Sequence, residues 1–81
     1  MVEIFKTNVQ HRSQANGIIT LIQAQFTDYQ ATFDLEDCDC VLRISTVSEP
    51  VSAEHIIQII AAFGFHAELL QDTYSLSELL S

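Results

Sequence analysis

An 81-residue chain that is 48% hydrophobic has room for one core and one small domain. Eleven Asp or Glu stand against Lys6, Arg12 and Arg43, and a net charge of −8 excludes both phosphate neutralisation along a nucleic acid and docking on an anionic membrane. The same supply of Ile, Leu, Val and Phe excludes a disordered chain.

Val2 to Val9 carries Ile4, Phe5 and Val9 among polar neighbours and reads as a strand. Because Ile4 and Phe5 are adjacent, the pattern leaves its inward face open. From about His11 to Phe26 the period lengthens. Ala15, Ile18, Ile19, Ile22 and Phe26 recur every three or four residues and form one stripe of a helix. Gly17 lies inside this helix at a cost of roughly 1 kcal/mol relative to Ala, which a close approach of the helix to the sheet would explain.

Tyr29, Ala31, Phe33 and Leu35 then alternate, and Cys40, Leu42 and Ile44 alternate again after Glu36, Asp37, Cys38 and Asp39. Two runs of period two around a short polar stretch read as a hairpin. Ser45 to Pro50 is a loop leading to a second helix. Ser52 is its N-cap, Glu54 complements the dipole in its first turn, and Gly64 closes it. Val51 and Ile56 are spaced for a hydrophobic staple, and Ile56, Ile57, Ile60 and Phe63 supply the buried stripe. A strand from Phe65 to Leu70 follows. Residues 71–81 are an extension with a further helical turn expected through Leu76, Leu79 and Leu80.

The order strand, helix, strand, strand, helix, strand leaves two helices to cover one face of a four-stranded sheet. The expected fold is therefore α+β: a ferredoxin-like βαββαβ sandwich with an antiparallel sheet and both helices on one face. Its core is expected to hold Ile18, Ile22, Leu42, Ile56 and Ile60, with the domain ending near residue 70.

No stretch approaches the roughly 20 apolar residues needed to span a bilayer, and Met1 to Lys6 lacks the pattern of a signal peptide. A cytoplasmic protein is expected. Cys38 and Cys40 are too few for a disulfide framework, and at about 6.5 Å apart along an extended strand they are near the limit for bridging. Free thiols in a reducing compartment are the simplest reading.

The run from Val51 to Leu70, a helix closed by Gly64 and Phe65 and followed by a short strand, resembles the second helix, Gly-aromatic turn and last strand of the heavy-metal-associated domain family, the copper-chaperone fold. The likeness covers about residues 2 to 70. It implies a loop Met-x-Cys-x-x-Cys opening helix 1, whose two thiolates clasp Cu(I) or another soft ion. Aligning Ile18 and Ile22 with the family's helix-1 core positions puts Val9 at the Met, His11 at the first Cys and Gln14 at the second. The chain thus reads as a divergent member without the CxxC metal loop.

In this topology the first two strands run parallel and the second helix ends at the same edge. His11, the hairpin bearing Cys38 and Cys40, and the turn bearing His66 are expected to gather there. Thiols and imidazoles suit Zn(II) or Cu(I), which makes these four the candidate ligands. In the family a His directly after the Gly assists the metal, whereas here Phe65 intervenes before His66. The competing reading makes Cys40, in phase with Leu42 and Ile44, a small core hydrophobe, and His11 a polar residue at a helix start. Asp34, Glu36, Asp37 and Asp39 then form a solvated turn that discourages edge pairing. His55, at the far end of the sheet, is expected to be solvated.

Catalysis finds no support. A nucleophilic thiol needs thiolate character, against which the neighbouring acids work, and there is no Gly-rich phosphate loop or Ser-centred motif. Two functions remain in view: a metal-binding or metal-handling module with an altered ligand set, or a metal-free protein-interaction or homodimerisation module on the same fold. A small regulatory ligand-binding domain of this topology has no residue constellation to support it.

Overall fold

The computed structural model describes residues 1–36, 38–47 and 50–70. The elements are β1 (Val2–Thr7), α1 (Arg12–Gln25), β2 (Gln30–Asp34), β3 (Val41–Ser45), α2 (Ala53–Ala62) and β4 (Ala67–Leu70). The strands form one sheet in the order β2-β3-β1-β4, with every neighbouring pair antiparallel. Since β1 and β2 both oppose β3, they run in the same direction. This is the ferredoxin-like βαββαβ sandwich expected from the hydrophobic pattern.

The face of β1 that the pattern left open is decided by the helices. Phe5 is fully buried and pairs with Leu42 on one side and Leu69 on the other. Ile4 therefore turns to the opposite face, away from the helices, where it pairs with Arg43 and Leu70. Ile18 and Ile22 from α1, Ile56 and Ile60 from α2, and Leu42 and Ile44 from β3 fill the single core, all fully buried. At about 25 cal/mol per Å², such burial is the main stabilising term of a domain this small.

Two local devices differ from expectation. Ser52 does occupy the N-cap of α2, but its side chain makes no capping bond. Its Oγ lies 2.6 Å from His55 Nδ1 instead, three residues on, where the ring competes with the backbone N–H groups for the hydroxyl. The backbone at this helix start is held from outside. Buried Tyr29 accepts the Ser52 N–H through its hydroxyl at 2.8 Å and donates to the Pro50 carbonyl at 3.4 Å. His55 is exposed, as expected, and its ring is tilted against Phe26 at 5.7 Å between centroids.

Gly17 faces the other helix rather than the sheet. A Cβ built there would meet the ring of Phe63 at 3.4 Å from Cε2. Gly64 closes α2 at φ 89°, a conformation that only glycine adopts without strain. At the sheet edge, Gln23 Oε1 reaches from α1 to accept the Ala31 N–H at 3.2 Å, satisfying one donor of the edge strand β2. The extension 71–81 and its expected helical turn lie outside the described residues.

The distance at Gly17 is ordinary van der Waals contact, so a methyl fits. Gly17→Ala is expected to raise stability by about 0.5–1 kcal/mol through helix propensity. Gly17→Leu, which must displace Phe63, is expected to lower it. Urea unfolding of both variants checks this.

Candidate functional site

The candidate residues sit on three turns, and the end of β1 ties those turns together. Thr7 is buried on the inward face, in phase with Phe5. Its N–H donates to the Asp39 carbonyl at 3.1 Å, and its Oγ1 donates to the Cys40 carbonyl at 2.6 Å. The same oxygen accepts the Val9 N–H at 3.2 Å. One residue on, the Asn8 N–H donates to the His66 carbonyl at 3.3 Å, and Asn8 Oδ1 accepts the His66 N–H at 2.7 Å. The β2–β3 turn, the α2–β4 turn and the loop entering α1 therefore meet at one end of the sheet. The ion pair of Lys6 Nζ with Asp39 Oδ1, at 3.7 Å between half-exposed side chains, adds little to this.

His11 is the N-cap of α1, in extended conformation and exposed, and its carbonyl accepts the N–H groups of Gln14 and Ala15 at 3.1 and 3.0 Å. Gln14 lies in the first turn with its Oε1 enclosed and without a hydrogen-bond partner among the described residues. Val9 is fully buried. Cys38 is exposed on the hairpin turn, and His66 is exposed after Gly64 and Phe65.

Cys40 differs from its neighbour in sequence. It is 8% exposed, and it precedes β3 rather than belonging to it. Its φ of 47° puts a non-glycine residue in the left-handed region, where the chain swings from the turn into the strand. The thiols of Cys38 and Cys40 thus occupy different environments, one in solvent and one in the core. Among the described residues, no group of three or more His, Cys, Asp or Glu side chains is placed to hold a metal ion. The acidic hairpin has a structural element as well: Asp34 Oδ1 accepts the Glu36 N–H at 3.2 Å, an Asx-type turn opening the hairpin.

Thr7 and Asn8 are the residues that sequence reasoning missed. The available signal was a polar residue in phase with Phe5 at the end of a central strand. Its meaning depends on which loops arrive beside it.

No family model matches the chain, and no curated protein matches it. Among solved structures it is similar to the copper transporter domain of yeast, determined in solution in the apo and Cu(I)-loaded states, at a TM-score of 0.71 and 24% identity over 88% of this chain and 96% of that one. The two chains share the βαββαβ fold. A likeness at this identity speaks for architecture, and architecture alone does not carry a function. No helix among the described residues is long and apolar enough to cross a membrane.

Thr7 anchors this end of the sheet through a buried hydroxyl that both donates and accepts. Thr7→Val keeps the shape but strands the Cys40 carbonyl and the Val9 N–H, so a loss of about 2–3 kcal/mol is expected. Thr7→Ser, which keeps the hydroxyl, is expected to lose less than half of that in urea unfolding. At Cys40, exchange for Ala is expected to cost about 1 kcal/mol through lost burial. Exchange for Val is expected to cost more, although Val is larger and apolar, because a β-branched side chain is strained at positive φ. Thermal melts of the pair separate backbone strain from burial.

Proposed function

We propose that this chain is a small metal-handling domain with an altered ligand set, in which exposed Cys38, His11 and His66 present soft donors to an ion such as Cu(I) or Zn(II). The observation that carries this reading is the pair of contacts made by Thr7 and Asn8, which draws the three donor-bearing turns to one end of the sheet. The fold shared with a domain studied in its Cu(I)-loaded state supports it. The ion is cargo here, not a resident cofactor, and no catalytic step is assigned to the chain. A soluble cytoplasmic setting with a protein partner accepting the ion fits this role.

The donor set limits the grip. Gln14 offers a hard amide oxygen where the related fold would need a second thiolate, and a soft ion gains little from it. Cys40 is turned into the core and contributes only if the hairpin opens.

Competition against a graded series of Cu(I) chelators tests the reading. One equivalent of Cu(I) is expected to bind and to be surrendered to strong chelators. Cys38→Ser is expected to abolish binding, and His11→Cys combined with Gln14→Cys is expected to raise affinity by several powers of ten. Failure of the wild-type protein to bind Cu(I) or Zn(II) at all would overturn the proposal.

A second reading, a metal-free interaction or homodimerisation module, is favoured by the burial of Cys40 at 8% exposure and by the lack of a three-ligand group among the described residues. It requires wild-type thermal melts that are identical in Zn(II) and in chelator.

A further inference from the structure

On one side the sheet ends at β2, which pairs with β3 alone. Backbone groups of an antiparallel strand point alternately to its two sides, and two contacts fix that phase here. The Ala31 N–H donates to Gln23 Oε1 at 3.2 Å, so it points away from β3. The Thr46 N–H donates to Met1 across the other side of β3, which leaves the groups of Ser45 directed at Gln30. Gln30, Thr32 and Asp34 therefore bond inward to Ser45, Arg43 and Val41. Ala31 and Phe33 turn their N–H and C=O groups to the edge. Among the described residues, Gln23 is the partner of one of these four groups, and the other three have none. Such a row is a template for another strand.

The edge is complementary to itself. Two copies of β2 set antiparallel about a two-fold axis at Thr32 place Ala31 of each opposite Phe33 of the other, and all four edge groups of each chain are then bonded. On the covered face the small Ala31 stands beside the large Phe33. On the open face Thr32 meets Thr32, and Asp34 meets Gln30, so no like charges oppose each other along the ladder. An axis at Asp34 would set that carboxylate against itself, and one at Phe33 would pair Ala31 with Leu35, beyond the end of β2. Ile19, one turn before Gln23 on α1 and partly buried, adds apolar surface above the edge. The nearest charges on the open face are Asp34 and Arg43, one of each sign in each chain. Lys6 and Glu68 face each other on β1 and β4, with Lys6 also paired to Asp39, and lie at least two strands from the edge. Asp28 and Glu36 lie beyond the two ends of β2, where the pairing brings each towards the other's copy.

We infer that β2 is a self-pairing edge: two copies of this chain join β2 to β2, antiparallel about Thr32, into one eight-stranded sheet, and Gln23 yields the Ala31 N–H when the second copy arrives. The occupant of the edge is a second copy of the chain. The pairing needs no metal ion.

Sedimentation equilibrium of the full chain in chelator tests this. A monomer–dimer equilibrium is expected that tightens as salt is raised, because the net charge of −8 on each chain and the acids at the ladder ends oppose pairing. Each substitution acts twice by symmetry. Gln30→Asp, which opposes Asp34 of the second copy, is expected to raise the dissociation constant about tenfold, and Gln30→Lys to lower it by about the same factor. Gln30→Asp combined with Asp34→Asn is expected to restore the wild-type value, since Asn still accepts the Glu36 N–H. In a mixture of isotope-labelled and unlabelled chains, filtered Overhauser spectra are expected to join the Ala31 amide to the Phe33 amide of the other molecule. Three results would each overturn the inference: a monomer throughout the concentration range, a dimer indifferent to the Gln30 variants, or intermolecular cross-peaks confined to another surface.

Discussion

The hydroxyl of Thr7 is the contact on which one whole end of this molecule depends. β1 is a central strand, flanked by β3 and β4, and its final residue points inward with no water available to it. A buried hydroxyl must be satisfied or it destabilises the fold. Here it is satisfied by the hairpin carbonyl at Cys40 and by the chain's own Val9 N–H, so the strand end, the hairpin and the entry to α1 become one unit. Asn8 extends the unit to the turn after α2 by a two-way exchange with His66. The candidate donors are positioned by backbone bonds to neighbouring residues, and their own side chains remain available.

The opposite end is built on a different principle. There Tyr29, stacked on Phe26 at 4.5 Å, replaces the missing side-chain cap of α2 by accepting the Ser52 N–H. Ser52 is thereby left to His55. One end is held by an aromatic cluster with a phenolic hydroxyl and the other by small polar side chains of a strand terminus. At the Thr7 end His11, Cys38 and His66 stand in solvent, and at the aromatic end Tyr29 is buried while His55 is exposed.

Strain is concentrated at the same edge. Cys40 holds a left-handed backbone while being buried, and Gln14 has an enclosed acceptor with no partner among the described residues. Each costs on the order of 1–3 kcal/mol. The two lie on the hairpin and on the first turn of α1, the segments that approach each other across Thr7. A domain selected for stability alone would carry Asn or Gly at the first position and an apolar residue at the second. The compensation comes from the core, where six large aliphatic side chains from both helices and β3 are fully buried.

The element order, the antiparallel sandwich and the identity of Ile18, Ile22, Leu42, Ile56 and Ile60 as core residues were legible from periodicity, because side-chain spacing reports directly on which face a helix or strand buries. The turn at Gly64 was legible because positive φ is cheap only for glycine. The inward face of β1, the partner of Gly17 and the split between Cys38 and Cys40 were not. Adjacent Ile4 and Phe5 satisfy either face until helices cover one of them. A helical glycine does not say whether a sheet or the Phe63 ring approaches it. A cysteine in phase with a strand is read as part of that strand until the backbone at Cys40 turns left-handed. These are contacts between residues distant in the chain: Thr7 with Cys40, Asn8 with His66, Tyr29 with Ser52. Local patterning governs the formation of each element, but the bonds that join their ends exist only once the elements have packed, and so tertiary structure alone decided them.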